Sequence, residues 1–266
     1  MRGARFVIVA GIDIGAATAK AVIYNENKIV SFSIIPTGSH VAGASEEVLN
    51  NALRESELYF RDLVYVISTG YGRRAVSFRN KSLTEIICHA AGVSWMVPHA
   101  RTVIDIGGQD SKVIGLDKDG NVNNFVMNDK CAAGTGRFLE VMAGVLDVDV
   151  SDMGPISLEG AEPCPISSTC TVFAESEMVT LRAEGNCREN IIAGIHKATA
   201  HRVAIMGKTV GFNEVVVFTG GVGKNSGMKK AMEDIIKMDI FVPEEPQIMG
   251  ALGAALLARN EAIKEA

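Results

Sequence analysis

The chain has 266 residues, 47% hydrophobic and 21% charged, a composition that buries one large core or two small ones and excludes a disordered chain. A formal net charge of −5, with no Lys/Arg stripe interleaved with aromatics, gives no basis for nucleic-acid binding. Arg2 and Arg5 precede the apolar run Phe6 to Ala10 in the manner of a signal peptide, but Asp13 breaks the run. No later stretch reaches the ~18 apolar residues of a membrane helix, so the protein is expected in the cytoplasm without a membrane partner.

In chain order, the opening apolar run leads into Ile12-Asp-Ile-Gly-Ala-Ala-Thr-Ala-Lys-Ala-Val22, which reads as strand, glycine turn and strand. A polar turn at Asn25 to Lys28 suits a hairpin meander. Apolar spacing then predicts a helix over 45–57, a strand over 63–68, the glycine turn Thr69-Gly-Tyr-Gly72 and a helix over 83–96. The plan then repeats. Ile104-Asp-Ile-Gly-Gly-Gln-Asp-Ser-Lys-Val-Ile114 lies over the first segment without a gap, sharing Ile, Asp, Ile, Gly and Lys, and reaches its own polar turn at Asp117 to Gly120. Helices over 136–146, 172–183 and 191–210, a strand over 215–218 and a Gly/Ala-rich helix from about Gly250 complete the chain. We expect an α/β protein of two similar domains, residues 1–97 with 250–266 and residues 98–249.

A carboxylate at a strand end, followed by a glycine turn and a lysine, can hold hydrated magnesium and offer backbone N–H groups to phosphate. One Asp-x-Gly is common in inert loops; two aligned copies, at Asp13 and Asp105, point to a nucleotide. A third turn, Phe218-Thr-Gly-Gly-Val-Gly-Lys-Asn-Ser-Gly227, follows β-branched residues and lets the backbone approach a flat base or ribose. It is neither a Walker A loop nor a dinucleotide fingerprint.

The three turns in this order resemble the phosphate-one, phosphate-two and adenosine motifs of the superfamily containing sugar and acetate kinases, the heat-shock chaperone ATPase and actin. That resemblance implies two ribonuclease-H-like domains with an interdomain cleft for ATP or ADP with Mg2+. It assigns catalytic roles to Asp13, Asp105 and Gln109, the last orienting the attacking water. It assigns nucleotide contacts to Gly15, Ala16, Ala17, Thr18, Ala19 and Lys20, to Gly107 and Gly108, to Gly134, Thr135 and Gly136, and to Gly220, Gly221 and Gln247.

Narrower motifs lie in the second half: Asn128-Asp-Lys-Cys-Ala-Ala-Gly-Thr-Gly-Arg-Phe-Leu-Glu140 and Ser167-Ser-Thr-Cys-Thr-Val-Phe-Ala-Glu-Ser-Glu177. With Thr69-Gly-Tyr-Gly-Arg73 and Ile192-Ala-Gly-Ile-His196, they resemble the activator components of 2-hydroxyacyl-CoA dehydratases, a family shared with the ATP-binding subunits of benzoyl-CoA reductase. The resemblance implies a homodimer in which Cys131 and Cys170 of each chain hold one 4Fe-4S cluster. It also implies a ferredoxin or flavodoxin as electron donor and a dehydratase, or a related CoA-ester reductase, as acceptor. Both cysteines precede a predicted helix, whose N-terminus favours thiolate. Of the five cysteines, Cys164, between two prolines, is the rival ligand; Cys88 reads as core and Cys187 as loop. His196 and His201 receive no role. The family's first turn carries Ser-Thr after glycine, where this chain has Ala16-Ala17, which removes hydroxyl contacts to phosphate. A small-molecule kinase of the same fold and a chaperone-like nucleotide switch are the rival functions; the first has no use for the two cysteines, and the second lacks a peptide-binding domain.

Overall fold

A computed structural model describes residues 7–26, 28–167 and 170–265; Phe6, Ser168 and Thr169 of the motifs above lie outside them. Contacts divide the chain into two compact units: Met1–His99 with Asp117–Val122 and Gln247–Ala266, and Ala100–Leu116 with Asn123–Pro246.

The first unit opens with three strands, β1 (Ile8–Ile14), β2 (Thr18–Asn25) and β3 (Lys28–Pro36), followed by helix α1 (Val41–Glu55). Next come β4 (Tyr65–Thr69), the short β5 (Lys81–Ser82) and α2 (Glu85–Met96). The second unit begins with β6 (Thr102–Ile106), β7 (Ser111–Leu116) and β8 (Val122–Asn128). Four helices follow: α3 (Gly136–Leu146), α4 (Met153–Leu158), α5 (Thr171–Ala183) and α6 (Arg188–Gly207). The chain ends with β9 (Val216–Thr219), α7 (Ser226–Ile236), β10 (Ile240–Phe241) and α8 (Met249–Glu265).

Each unit carries a five-stranded mixed sheet of one plan. The orders are β3-β2-β1-β4-β5 and β8-β7-β6-β9-β10: an antiparallel meander with a strand parallel to its first member and a short edge strand beyond. The register repeats as well. Asp13 lies opposite Lys20 on one side and Thr69 on the other; Asp105 lies opposite Lys112 and Thr219.

In the first unit β1 is buried on both faces, as its apolar run dictates. One face packs Ile12 and Ile14 against Val48, Leu49, Ala52 and Leu53 of α1. Each fully buried isoleucine contributes about 1.5–3 kcal/mol. The glycines and alanines of α8 bring it backbone-close to its neighbours: a Cβ on Gly11 would overlap Ala251 O, and one on Gly253 would overlap Cys88 O. In the second unit the core gathers Ile104, Ile106, Phe138, Leu139, Ile195 and Phe218.

Several boundaries differ from the sequence expectation. Helix α1 starts at Val41 rather than Ser45, α2 at Glu85 and α6 at Arg188, while α4, α7 and β10 were not anticipated.

Candidate functional site

In the first unit, Asp13 is the penultimate residue of β1, at 5% exposure. The turn after it is closed by Gly15 N–H donating to Thr18 O at 3.0 Å, and Lys20 Nζ returns along β2 to within 3.7 Å of Asp13 Oδ2. Thr37 braces the turn from outside, donating its hydroxyl to Gly15 O and its amide to Ala17 O. Ala16 and Ala17 are exposed at the tip, so only backbone groups face outward there. Ala19 is wholly buried, its methyl part of the core. Gly70, at φ +80°, follows Thr69, and any Cβ on it would overlap Asp13 Oδ1. The carboxylate therefore sits in a hollow that only glycine leaves open.

The second unit repeats this geometry with more charge. Gly107 N–H donates to Asp110 O at 2.9 Å, matching Gly15 and Thr18. Asp105 is 2% exposed, takes the Thr219 hydroxyl at 2.8 Å, and lies 3.2 Å from Lys112 Nζ. Asp110, in the place of Thr18, lies 2.6 Å from the same Lys112 Nζ. Burial alone would push the Lys112 ammonium toward deprotonation; Asp105 and Asp110 outweigh it and hold the group charged well above the ordinary lysine value. Gln109 is exposed at the turn tip. Gly220, at φ +83°, stands where Gly70 does in the first unit; a Cβ on it would overlap Ile106 O and lie 3.0 Å from Asp105 Oδ1.

Behind the second turn stands the start of α3. Gly136 N–H and Arg137 N–H donate to Gly107 O and Gly108 O, each at 2.8 Å, and the Thr135 hydroxyl goes to Ala132 O. Gly136 and Arg137 thus buttress the turn, and these donors are spent within the protein. The third turn runs from Gly220, whose N–H donates to Pro246 O at 3.0 Å, through a 3-10 turn at Gly221–Lys224, where Gly221 is exposed. Gln247 is half-buried just after Pro246.

A satisfied polar chain fixes the end of that turn. Asn225 caps α7 by accepting from Met228 N at 2.8 Å, and its amide lies 3.2 Å from His196 Nε2; His196 Nδ1 is 2.9 Å from Ser157 Oγ, which donates to Gly154 O at 2.8 Å. One tautomer satisfies all four groups: Nε2 accepts and Nδ1–H donates. His196 is 1% exposed, and burial lowers its pKa to about 4, so the ring is neutral. Spacing along α6 gave no hint of this role, because both partners come from distant segments.

The cysteines divide sharply. Cys88 is fully buried in α2, where burial pushes its thiol up to about 12. Cys164 is 6% exposed, its pKa also raised by burial. Cys131 is half-buried against the second core, and Cys170 is exposed at the N-cap of α5, beside exposed Val172 and Phe173. The expectation that both candidate ligands precede a helix holds only for Cys170; Ala132 to Thr135 intervene between Cys131 and α3. Cys187 also caps a helix, α6, so position at a helix start alone does not separate it from Cys170. Among the described residues no cluster of three or more His, Cys, Asp or Glu forms a metal site. Cys131 and Cys170 are the accessible thiols of the two cysteine loops, and each carboxylate turn sets an aspartate beside a lysine and a glycine turn.

Comparisons with known proteins bear on this arrangement. The chain is 48% identical over 253 residues to the 2-hydroxyisocaproyl-CoA dehydratase activator of Clostridioides difficile, covering 95% of each chain. The solved activator of the 2-hydroxyisocaproyl-CoA dehydratase from Clostridium difficile with bound ADPNP superimposes with a TM-score of 0.93 at 46% identity, covering 97% of both chains. A ROK hexokinase from Thermus thermophilus, at 16% identity, TM-score 0.54 and coverage of 96% and 99%, shares the sugar-kinase fold. Residues 10–258, which span both carboxylate turns and both cysteine loops, match the family described as BadF/BadG/BcrA/BcrD ATPases, and the chain belongs to that family.

Proposed function

We propose that this ATPase is an electron-activating component: a homodimer whose copies share one 4Fe-4S cluster and which, driven by ATP, passes one electron to a 2-hydroxyacyl-CoA dehydratase. The observation that carries the reading is the contrast among the cysteines. Two are sealed in cores with raised pKa values, whereas Cys170 stands exposed and Cys131 half-buried, each within a loop of the family motif. Two thiolates per chain cannot complete a four-thiolate site, so a second copy is needed. Exposed Val172 and Phe173 beside Cys170 supply apolar surface for that contact. The dehydratase partner follows from the names of the relatives.

On the nucleotide side, residues 1–97 with 250–266 and residues 98–249 each contribute one turn. Asp13 and Asp105 hold the hydrated magnesium. Lys20 and the amides of Gly15 to Ala19 take phosphate oxygens, with Gly107 and Gly108 serving from the second turn. Gln109 orients the attacking water, while Gly220, Gly221 and Gln247 border the adenosine. Cys131 and Cys170 hold the cluster, which supplies a one-electron store. A ferredoxin or flavodoxin refills it.

Anaerobic purification with iron analysis and sedimentation tests the reading. It expects a brown dimer with about four irons that reduces a 2-hydroxyacyl-CoA dehydratase only when ATP is present. A colourless, iron-free ATPase after anaerobic reconstitution with iron and sulfide would overturn it.

A further inference from the structure

Asp13 and Asp105 hold matching register positions, yet they are anchored differently. Asp105 receives the Thr219 hydroxyl at 2.8 Å and Lys112 Nζ at 3.2 Å. Asp13 has Lys20 Nζ at 3.7 Å, beyond hydrogen-bond length, and the hydroxyl of Thr69, the counterpart of Thr219, is buried without an oxygen or nitrogen partner. What stands beside Asp13 is His89. It is 7% exposed on α2, and its Nδ1 lies 2.8 Å from Glu85 O; a carbonyl can only accept, so Nδ1 carries the hydrogen. The ring's other nitrogen is Nε2. A Cβ on Gly250 would lie 2.9 Å from both Asp13 Oδ2 and His89 Cε1, the ring carbon bonded to Nε2, so carboxylate and imidazole close on the same glycine.

We propose that His89 is a positioning residue for the ATPase reaction: through Nε2 it orients the Asp13 carboxylate, the task that Thr219 and Lys112 perform for Asp105. The proposal rests on the reading of Asp13 as a carboxylate serving the magnesium nucleotide. It accounts for the pairing of a buried histidine with the glycine at the start of α8, where a larger residue would separate ring from carboxylate.

Two isosteres separate this role from a structural one. In His89→Asn the side-chain amide can occupy the place of Nδ1 and keep the bond to Glu85 O while removing Nε2. In His89→Gln the amide reaches the place of Nε2 instead. Measured on the whole protein beside Asp13→Asn, the assays are ATP turnover, Mn2+ binding in the presence of ADP by electron paramagnetic resonance, and thermal unfolding. His89→Asn is expected to lower kcat and Mn2+ affinity each by about 10–100-fold, with the KM for ATP within about twofold and the unfolding temperature unmoved. His89→Gln is expected to recover both to within about threefold of the parent. If His89→Asn matches the parent while Asp13→Asn is inactive, or if both His89 variants fail together with a lowered unfolding temperature, the positioning role is overturned. If Asp13→Asn itself hydrolyses ATP and binds Mn2+ like the parent, the reading of Asp13 fails, and the proposal with it.

Discussion

His196 should make the second unit acid-sensitive by an amount that the structure sets. Its pKa is about 4 in the fold, lowered by burial, against 6.5 for an exposed histidine. Between those values the unfolded chain binds a proton that the folded chain refuses, so stability rises with pH across this window. The contribution is complete above pH 6.5 and is lost as pH falls toward 4. One pKa unit is worth 1.36 kcal/mol, which gives about 2 kcal/mol lost on going from pH 7.5 to pH 5. Protonation would also place the ring's second hydrogen, on Nε2, facing the Asn225 amide that donates to it, and so loosen the cap of α7. The assay is hydrogen–deuterium exchange of peptides covering α6 and α7, corrected for intrinsic rates, in the parent and in His196→Gln. The parent should lose about 2 kcal/mol more protection than the variant over this range. Carboxylates and the other histidines titrate in both proteins and cancel. Equal pH dependence in the two would refute the burial of a neutral ring.

Asp13→Asn and Asp105→Asn should each lower ATP turnover by about 100-fold or more, with sedimentation unchanged; parent-like turnover in both would remove the carboxylates from the chemistry. Cys131→Ala or Cys170→Ala should abolish bound iron while ATP binding persists, whereas Cys88→Ala, Cys164→Ala and Cys187→Ala should keep it. Iron loss in Cys187→Ala alone would move the ligand to the start of α6. Asp110→Asn should weaken Mn2+ binding in the presence of ADP by about 3–10-fold, read by electron paramagnetic resonance, because it removes one of the two carboxylates gathered on Lys112 beside the second turn.

The duplicated meander was legible because the same five residues recur at the same spacing in β1–β2 and β6–β7, whereas the parallel pairing of β4 and β9 was not. The repeat goes further than those segments, to Thr69-Gly70 and Thr219-Gly220, which occupy one register position in the two sheets. Helices α3 to α6 intervene in the second half only, so no fixed offset aligns these pairs. Helix α7 was hidden by its own cap: Asn225-Ser226 reads as the tail of a glycine turn until Asn225 is seen accepting from Met228 N. Helix α4 is six residues long and contains Gly154 and Pro155, too little for apolar periodicity. The parts of the site made by long-range contacts could not be read at all, since His196 meets Ser157 and Asn225, and His89 meets Gly250, only through packing.

The duplicated turns have diverged in charge, and the divergence divides their labour. Asp13 faces Lys20, a pair that sums to zero and is spaced too far for a hydrogen bond. Asp105 and Asp110 share one buried ammonium, so the second turn keeps a net negative charge at a site of low solvent access. Charges count for more there, because burial lowers the effective dielectric. On the proposed function, the second turn would therefore add the larger share of the attraction for a divalent cation that Asp13 also serves. The first turn, lined at its tip by Ala16 and Ala17, would add to the Asp13 carboxylate its backbone amides and Lys20, which suit phosphate oxygens. On this division the alanines that replace the family's hydroxyls fall on the turn whose contacts come from the backbone, where a side-chain oxygen matters least.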